Sequence, residues 1–195
     1  MVGFTIGLFL ALGKVFGPRS IRYILTAFSD VLRAIPPIVL IFIIFVVFVV
    51  DVPAFISFVA ALGLISGAYQ SEIFRGAIQS VSSGQVEAAR SIGMSKIQAI
   101  GHVVLPQALR LSIPPWSNET VTMLKETSLA YAIGIPELMR RAEYFSARTY
   151  NPFVAFSVVA IIYIILCYAV TKTLKLLEQK AKIPGLGHEK TSGGK

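Results

Sequence analysis

Long apolar segments alternate with short polar or basic ones along the whole chain. The clearest apolar segments are 35–50, 54–73 and 153–170, and a shorter one occupies 1–12. A helix needs roughly 20 apolar residues to cross the hydrocarbon core of a bilayer, and the three longer segments approach that length. The pattern therefore predicts an all-α, polytopic membrane helix bundle.

Segment 109–124 is also apolar, but Pro114-Pro115, Asn118 and Glu119 interrupt it. Irregular backbone at membrane depth is tolerated only where it is buried in protein or lines a cavity. We therefore expect a broken helix inside the bundle. This brings the total to about five transmembrane helices, the first of them short.

The first apolar segment is open to two interpretations. It is either a partial transmembrane helix, with the chain beginning partway through a span, or a signal peptide with a small-residue cleavage site at Ala11-Leu12-Gly13. A signal peptide has basic residues before its apolar run, and none precedes this one. The sequence favours the partial helix.

Four local patterns add detail. Gly63 and Gly67 have the small-xxx-small spacing that lets two membrane helices pack closely. The second apolar segment is expected to end at Asp51. The polar segment 137–151 is predicted to be mobile, and the glycine-containing end of the chain, 184–195, is predicted to be a disordered tail.

The longest polar interruption, 76–106, carries its own helix signals. Ser82-Ser83-Gly84 begins a helical run, and Gly93 is placed to end it. Ser95 and Gln98 then have the spacing of a capping box, which starts another helix. We predict a helix, a glycine turn and a second helix.

The composition excludes a water-soluble core. Of the 195 residues, 55% are hydrophobic and 14% are charged, with a mean hydropathy of +0.73, whereas soluble domains carry about 25% charged residues. The length suits one membrane domain, 1–195, and no second domain. Cys167 is the one cysteine, which excludes an internal disulfide and a cysteine-based metal site.

The net charge of +8 raises the possibility of nucleic-acid binding. A helix-turn-helix at 76–106 would offer few side chains for reading bases: Lys96, Gln98 and His102. We expect no nucleic-acid partner, because the basic residues lie in the connections instead. Fourteen are on the side of 76–106 and the C-terminus, against four on the other side. The positive-inside rule then predicts a cytoplasmic C-terminus and an N-terminus outside.

A spaced motif runs through the polar segment: Glu87-Ala88-Ala89, three residues, Gly93, nine residues, and Val103-Val104-Leu105-Pro106. Its flanks include 67–69, 72–78, 84–85, 105–110 and 125–129. Together they resemble the cytoplasmic loop of ABC transporter permeases, in the branch that takes up polar amino acids. The chain departs from that family at Arg33-Ala34-Ile35-Pro36, where Arg-Gly-x-Pro is usual, and at Asn118-Glu119, where Gln often follows Asn.

The resemblance implies a multi-pass subunit of an ATP-driven importer in the cytoplasmic (inner) membrane. Two permease chains, as a homodimer or a heterodimer, enclose the path, two ATPase subunits drive it, and an extracytoplasmic solute-binding protein delivers the substrate. The chain has no Gly-x-x-x-x-Gly-Lys-Ser/Thr phosphate loop, so ATP and Mg²⁺ are expected on the partner ATPase. We expect this chain itself to be no enzyme and to bind no cofactor or metal.

In that family the polar segment, 76–106, forms coupling helices that sit in a groove of the ATPase. Gly93 would allow the tight turn, the alanines would allow close approach, and Glu87 could pair with a basic group on the partner. The expected interface residues are Glu87, Ala88, Ala89, Arg90 and Gly93.

Polar residues at membrane depth are candidate substrate ligands. The carboxylate of Glu119 could receive an ammonium or guanidinium group, with Trp116 as a cation-π neighbour. That favours arginine, lysine or histidine as the substrate. Alternatively, Glu119 pairs internally with Lys125 or Arg110. The candidate substrate-binding residues are Tyr69, Gln70, Asn118, Glu119, Thr127 and Ser128.

A self-contained secondary carrier or channel is the alternative function, because such proteins also place charges on broken helices. Inverted repeats would support it, and the sequence shows none. Transport that persists without any ATPase would also support it.

Overall fold

The structure, a computed structural model, describes residues 1–48 and 52–181. These residues are almost entirely helical and include no strand, which confirms the all-α fold. The helices are α1 (Val2–Phe16), α2 (Arg19–Ala34), α3 (Pro37–Phe48), α4 (Ala54–Gln79), α5 (Ser83–Ser91), α6 (Lys96–Ala99), α7 (Leu105–Glu126), α8 (Leu138–Thr149) and α9 (Pro152–Ala181). A π-helical turn, Ile100–Val104, joins α6 to α7, and a 3-10 helical turn, Thr127–Ile133, follows α7.

Two of the described helices, α4 and α9, are long and apolar enough to cross a membrane. Helices α2 and α3 meet the same criterion as a pair, with a bend of 103° between them, and α1 is apolar but shorter. The number of five crossings stays a prediction. The expected tail at 184–195 and the expected end of the second span at Asp51 lie outside the described residues.

Glycines on both helices let α1 pack along α4. A Cβ atom added to Gly67 would lie 2.6 Å from Cγ2 of Ile6, and one added to Gly7 would lie 2.8 Å from Cβ of Gln70. Such distances are shorter than side-chain contacts allow. The predicted close packing at Gly63 and Gly67 is confirmed, with α1 as the partner helix.

Two prolines separate α2 from α3. Proline disfavours helical backbone in the residue before it and has no N–H to donate. Helix α2 therefore ends at Ala34, Ile35 is extended with φ −82° and ψ 129°, and α3 begins at Pro37. Residues 19–34 were not predicted as a helix from the sequence, and the structure shows that they form one, α2.

Helix α7 is continuous, so the prediction of a broken helix is wrong. Pro114 and Pro115 lie inside it, and each removes one backbone N–H donor. Packing against neighbouring helices lets membrane helices tolerate such prolines, and α7 contacts both α4 and α9. The irregular backbone lies before α7 instead, in the π-helical turn.

Residues 138–149 form a helix, α8, where we predicted a mobile segment. The carboxylate of Glu137 caps it by accepting hydrogen bonds from the backbone N–H groups of Met139 and Arg140, at 2.8 and 2.7 Å. Ala142 of α8 is buried in a cluster with Ala155 of α9. The capping carboxylate and this apolar contact explain why the polar sequence is ordered.

The buried cluster where α1, α4 and α7 meet includes Ala11, Phe74 and Val104. Phe4 packs edge-on against Phe74 and Trp116, with ring centroids 5.1 and 6.2 Å apart. Val104 belongs to the π-helical turn. The cluster therefore connects the core of the bundle directly to the polar segment before α7.

Candidate functional site

The polar segment between α4 and α7, residues 80–104, is hereafter the α4–α7 loop. Helix α5 ends before Gly93, whose φ of +92° lies in the left-handed region that favours glycine. At the start of α6, Ser95 Oγ accepts from the Gln98 N–H and Gln98 Oε1 accepts from the Ser95 N–H. The predicted helix, glycine turn and capping box are confirmed.

Four of the five predicted interface residues are exposed on the α4–α7 loop, namely Glu87, Ala88, Arg90 and Gly93. Ala89 is buried at 5% exposure, so in this chain its methyl group packs inward. The surface also includes two large apolar side chains, Ile92 and Ile97, which are 77% and 82% exposed. Exposed apolar side chains beside a charged motif are a signal for a binding surface.

The loop is fixed to the bundle by its buried residues. Val81 and Val104, at its two ends, are both in the buried cluster with Phe74 of α4 and Ala108 of α7. Any displacement of the loop therefore acts on α4 and α7 together.

The two substrate candidates on α4 make contacts within the bundle. Gln70 is 7% exposed, donates to Ser66 Oγ at 2.7 Å and accepts from Trp116 Nε1 at 3.0 Å. Tyr69 is half-buried, and its hydroxyl donates to the Arg33 carbonyl oxygen at 3.4 Å. In this structure Gln70 joins α4 to α7, and the Trp116 indole N–H is used in that contact.

The candidates on α7 have a different environment. Asn118 is exposed and Glu119 is half-buried, with its Oε1 lacking a hydrogen-bond partner. Among the ion pairs of the described residues, none joins Glu119 to Lys125 or Arg110. The internal pairing that we considered for Glu119 is therefore not formed here.

A second carboxylate lies two helical turns beyond Glu119. Glu126 is seven residues further along α7, hence on the same face of the helix, and its Oε2 also has no hydrogen-bond partner among the described residues. An open cavity of about 440 Å³ at this end of α7 is lined by Lys125, Glu126 and Ser128, together with Pro37 of α3. A carboxylate oxygen without a hydrogen-bond partner, as on Glu119 and Glu126, can receive a cationic ligand.

The remaining candidate, Thr127, is exposed, and its hydroxyl donates to the Leu124 carbonyl oxygen at 2.7 Å. The described residues contain no group of three or more His, Cys, Asp or Glu side chains arranged to hold a metal ion. The structure thus brings the candidates into two groups, one on α4 and one along α7 and its C-terminal turn.

One ion-pair network was not predicted, because the basic residues were expected in the connections between helices. Lys14 instead lies in the last turn of α1 with 2% exposure. Its Nζ donates to Ser71 Oγ and Glu72 Oε1, both at 2.8 Å, and Glu72 Oε2 accepts from Arg75 at 2.6 Å. Glu72 could have indicated this network from the sequence, because a carboxylate within an apolar helix needs a partner.

Residues 3–183 match the family described as binding-protein-dependent transport system inner membrane component. The chain is 35% identical over 193 residues to the histidine/lysine/arginine/ornithine transport system permease protein HisM of Escherichia coli strain K12, covering 92% of this chain and 81% of that protein. It is 37% identical over 182 residues to the L-cystine transport system permease protein TcyB of Bacillus subtilis strain 168, covering 91% and 78%.

Solved structures agree with these similarities. The crystal structure of an amino acid ABC transporter with histidines matches with a TM-score of 0.83 and 36% identity, over 92% of this chain and 85% of that one. An inward-facing structure of the MetNI methionine ABC transporter matches with a TM-score of 0.81 and 18% identity, over 93% and 88%. The second match shows a shared fold alone.

Proposed function

Because this chain belongs to the binding-protein-dependent transport system inner membrane component family, as an amino acid ABC transporter permease, we propose that it forms the path for basic amino acids. The expected substrates are arginine, lysine and histidine. Proteins of this family are transport permeases, and a separate subunit hydrolyses ATP in such systems.

The half-buried carboxylate of Glu119 is the observation that carries the proposed specificity. One of its oxygens is buried and has no hydrogen-bond partner in the described part of the chain, and a charge-assisted bond to a cationic ligand would satisfy it. The relatives' names do not decide the substrate, since they include a histidine/lysine/arginine/ornithine permease and a cystine permease at similar identity. The free carboxylate of Glu119 favours a basic amino acid over cystine.

The proposed assembly contains a second permease chain, an ABC ATPase and an extracytoplasmic solute-binding protein, in the inner membrane. We place the α4–α7 loop and the C-terminus in the cytoplasm and the N-terminus outside. Removing the buried Lys14 from the count of loop residues leaves thirteen basic residues against four. The positive-inside argument for this orientation is therefore unchanged.

The exposed surface of the α4–α7 loop is proposed to bind the ATPase. Glu87 and Arg90 can form ion pairs at the edge of the contact, while Ile92 and Ile97 supply apolar area that association would bury. Burial of such side chains contributes roughly 25 cal/mol per Å² of apolar surface. Because both ends of the loop lie in the buried cluster, the position of the ATPase would be transmitted to α4 and α7.

The variant Gly93→Val tests the docking surface. A β-branched residue at φ +92° is strained by at least about 1–2 kcal/mol, so the turn between α5 and α6 should change shape. We expect at least tenfold weaker association with the ATPase, measured by co-purification and titration in detergent. Gly101→Val is the matched control, since Gly101 is in the same loop, its added Cβ would meet no atom within 4 Å, and its φ is not positive. Equal association of both variants with the ATPase would remove the docking proposal.

The variant Glu119→Gln tests the substrate assignment. The permease, ATPase and solute-binding protein are reconstituted together, and ATP hydrolysis is measured with arginine, lysine, histidine, glutamine and glutamate. Loss of a charge-assisted hydrogen bond costs about 1.5–3 kcal/mol, so the concentration of basic amino acid giving half-maximal stimulation should rise at least tenfold.

Glu178→Gln, on α9, is the control and should behave as the unsubstituted chain does. Stimulation by neutral or acidic amino acids, with none by basic ones, would show that the proposed specificity is wrong. Transport that continues without the ATPase would show that the importer mechanism is wrong.

A further inference from the structure

A charged cavity of about 380 Å³ lies between α1, α2 and α4. It is close to the end of α4 from which the α4–α7 loop begins, because its α4 residues belong to the last two turns of that helix. Its charged lining side chains are Lys14, Arg22, Asp30, Arg33, Glu72 and Arg75. Four cations and two carboxylates give the cavity a net charge of +2.

The carboxylates inside the cavity do not neutralise its cations. Glu72 is shared, since one oxygen accepts from Lys14 at 2.8 Å and the other accepts from Arg75 at 2.6 Å. Lys14 is 2% exposed, so bulk solvent screens its charge only weakly. One unit of positive charge therefore remains on this wall of the cavity.

The wall formed by α2 also carries one unit of excess positive charge. Arg33 donates to Asp30 at 2.8 Å, but its Nε is buried and has no hydrogen-bond partner among the described residues. Arg22 makes one side-chain hydrogen bond in this part of the chain, a long one of 3.4 Å to the Val15 carbonyl oxygen. Guanidinium groups with free donors are suited to the planar, two-point recognition of a phosphate group.

The surroundings of the cavity favour a lipid over a soluble anion. A second, more open cavity of about 750 Å³ adjoins the first and shares Arg22 and Thr26 with it, while Tyr23 and Ile24 add apolar surface. Helix α2 also exposes large apolar side chains at Ile21, Ile24, Phe28 and Val31. A helix with one basic face and one apolar face lies at the level of the lipid headgroups.

We propose that this charged cavity binds the phosphodiester headgroup of an anionic phospholipid, whose glycerol and acyl portions lie along the adjoining apolar cavity. The assignment of the lipid to the cytoplasmic leaflet rests on the proposed orientation, and that leaflet carries anionic lipids. The bound headgroup would hold α2 against α1 and α4, one helical turn before the α4–α7 loop.

Phosphatidylglycerol is the probe and phosphatidylcholine its neutral comparison. The full-length chain is purified in detergent, each lipid is titrated, and native mass spectrometry counts the bound molecules. We expect phosphatidylglycerol to bind in preference to phosphatidylcholine. The double variant Arg22→Gln/Arg33→Gln should weaken phosphatidylglycerol binding about 20-fold, since each basic residue near an anionic lipid surface contributes a factor of roughly five.

Arg141→Gln/Arg148→Gln is the matched control, because it removes the same charge from exposed positions on α8 and should leave binding unchanged. The variant Arg22→Lys/Arg33→Lys keeps the charge but loses the two-point geometry, so its affinity should lie between those of the unsubstituted chain and the glutamine variant. The melting temperature shows whether the glutamine variant is folded. If it is not, two other measurements test the proposal: lipid binding by the lysine variant, and the salt dependence of phosphatidylglycerol binding to the unsubstituted chain.

Four results would overturn the proposal: equal binding of both lipids, equal losses in the glutamine variant and its control, salt-independent binding, or binding of inorganic phosphate that phosphatidylglycerol does not displace. A fifth is a change in permease self-association without a change in lipid binding. That result would show that a second permease chain covers the cavity. All these outcomes are independent of which amino acid is transported.

Discussion

Replacement of Lys14 by alanine is expected to lower the melting temperature of the purified permease by roughly 6–12 °C. Removing one partner of a buried ion pair costs about 3–5 kcal/mol, and Glu72 keeps Arg75 as a partner, so we expect about 3 kcal/mol. For a chain of this size each kcal/mol shifts the melting temperature by about 2–4 °C. The measurement is thermal unfolding in detergent.

The control for this prediction is Lys175→Ala, which removes an exposed lysine from α9 and should leave the melting temperature within about 1 °C, since surface substitutions change stability little. A double-mutant cycle with Glu72→Ala isolates the pair. The double variant should lose less than the sum of the two single losses. Additive losses would mean that the contact between Lys14 and Glu72 contributes nothing of its own.

Substitution of Gly7 by alanine is expected to destabilise the chain by about 2–3 kcal/mol, the upper part of the range for overpacking in a close helix contact. The added Cβ would lie 2.8 Å from Gln70 Cβ, and 3.0 and 3.1 Å from backbone atoms of Gly67 and Ser71. Backbone atoms of α4 cannot turn away as a flexible side chain does. The two helices must therefore move apart.

Gly76→Ala is the matched control on α4, because a Cβ there would meet no atom within 4 Å. Alanine is preferred to glycine inside a helix by about 0.8–1 kcal/mol, so this control should be slightly more stable than the unsubstituted chain. The two glycine-to-alanine substitutions are thus expected to have opposite signs in the same unfolding assay. The same sign for both would argue against close packing of α1 on α4.

Local signals in the sequence predicted local structure well. The capping box at Ser95 and the left-handed residue at Gly93 were both predictable, because each depends on side-chain and backbone chemistry within a few residues. Close helix packing at Gly63 and Gly67 was predictable for a related reason. Small residues at this spacing leave a shallow groove that only a closely packed neighbour can fill. The sequence did not identify that neighbour as α1.

Features that depend on distant contacts were not predictable. Lys14 and Glu72 are 58 residues apart, and no local pattern shows that one neutralises the other. The prolines of α7 are a strong local signal for a break, yet contacts with α4 and α9 keep the helix continuous. In the same way, no local pattern shows that the side chain of Gln70 joins α4 to Trp116 in α7.

The candidate site was partly predictable. The motif around Glu87 identified the exposed loop, but only the structure separates the exposed Ala88 from the buried Ala89. Glu119 was found because a carboxylate in an apolar segment is unusual. Its lack of a partner could only be seen once the surrounding side chains were placed.

The length of α4 has a mechanical consequence. The helix has 26 residues without a break, so it is about 39 Å long and exceeds the hydrocarbon thickness of about 30 Å. The glycine contact at Gly67 could serve as a fulcrum for α4, and Gln79 lies about 18 Å beyond it along the axis. Pivoting α4 by 10° about that fulcrum would move its loop end by roughly 3 Å. A displacement of that size at the proposed ATPase-binding surface would therefore be sufficient to tilt α4 where it contacts α7.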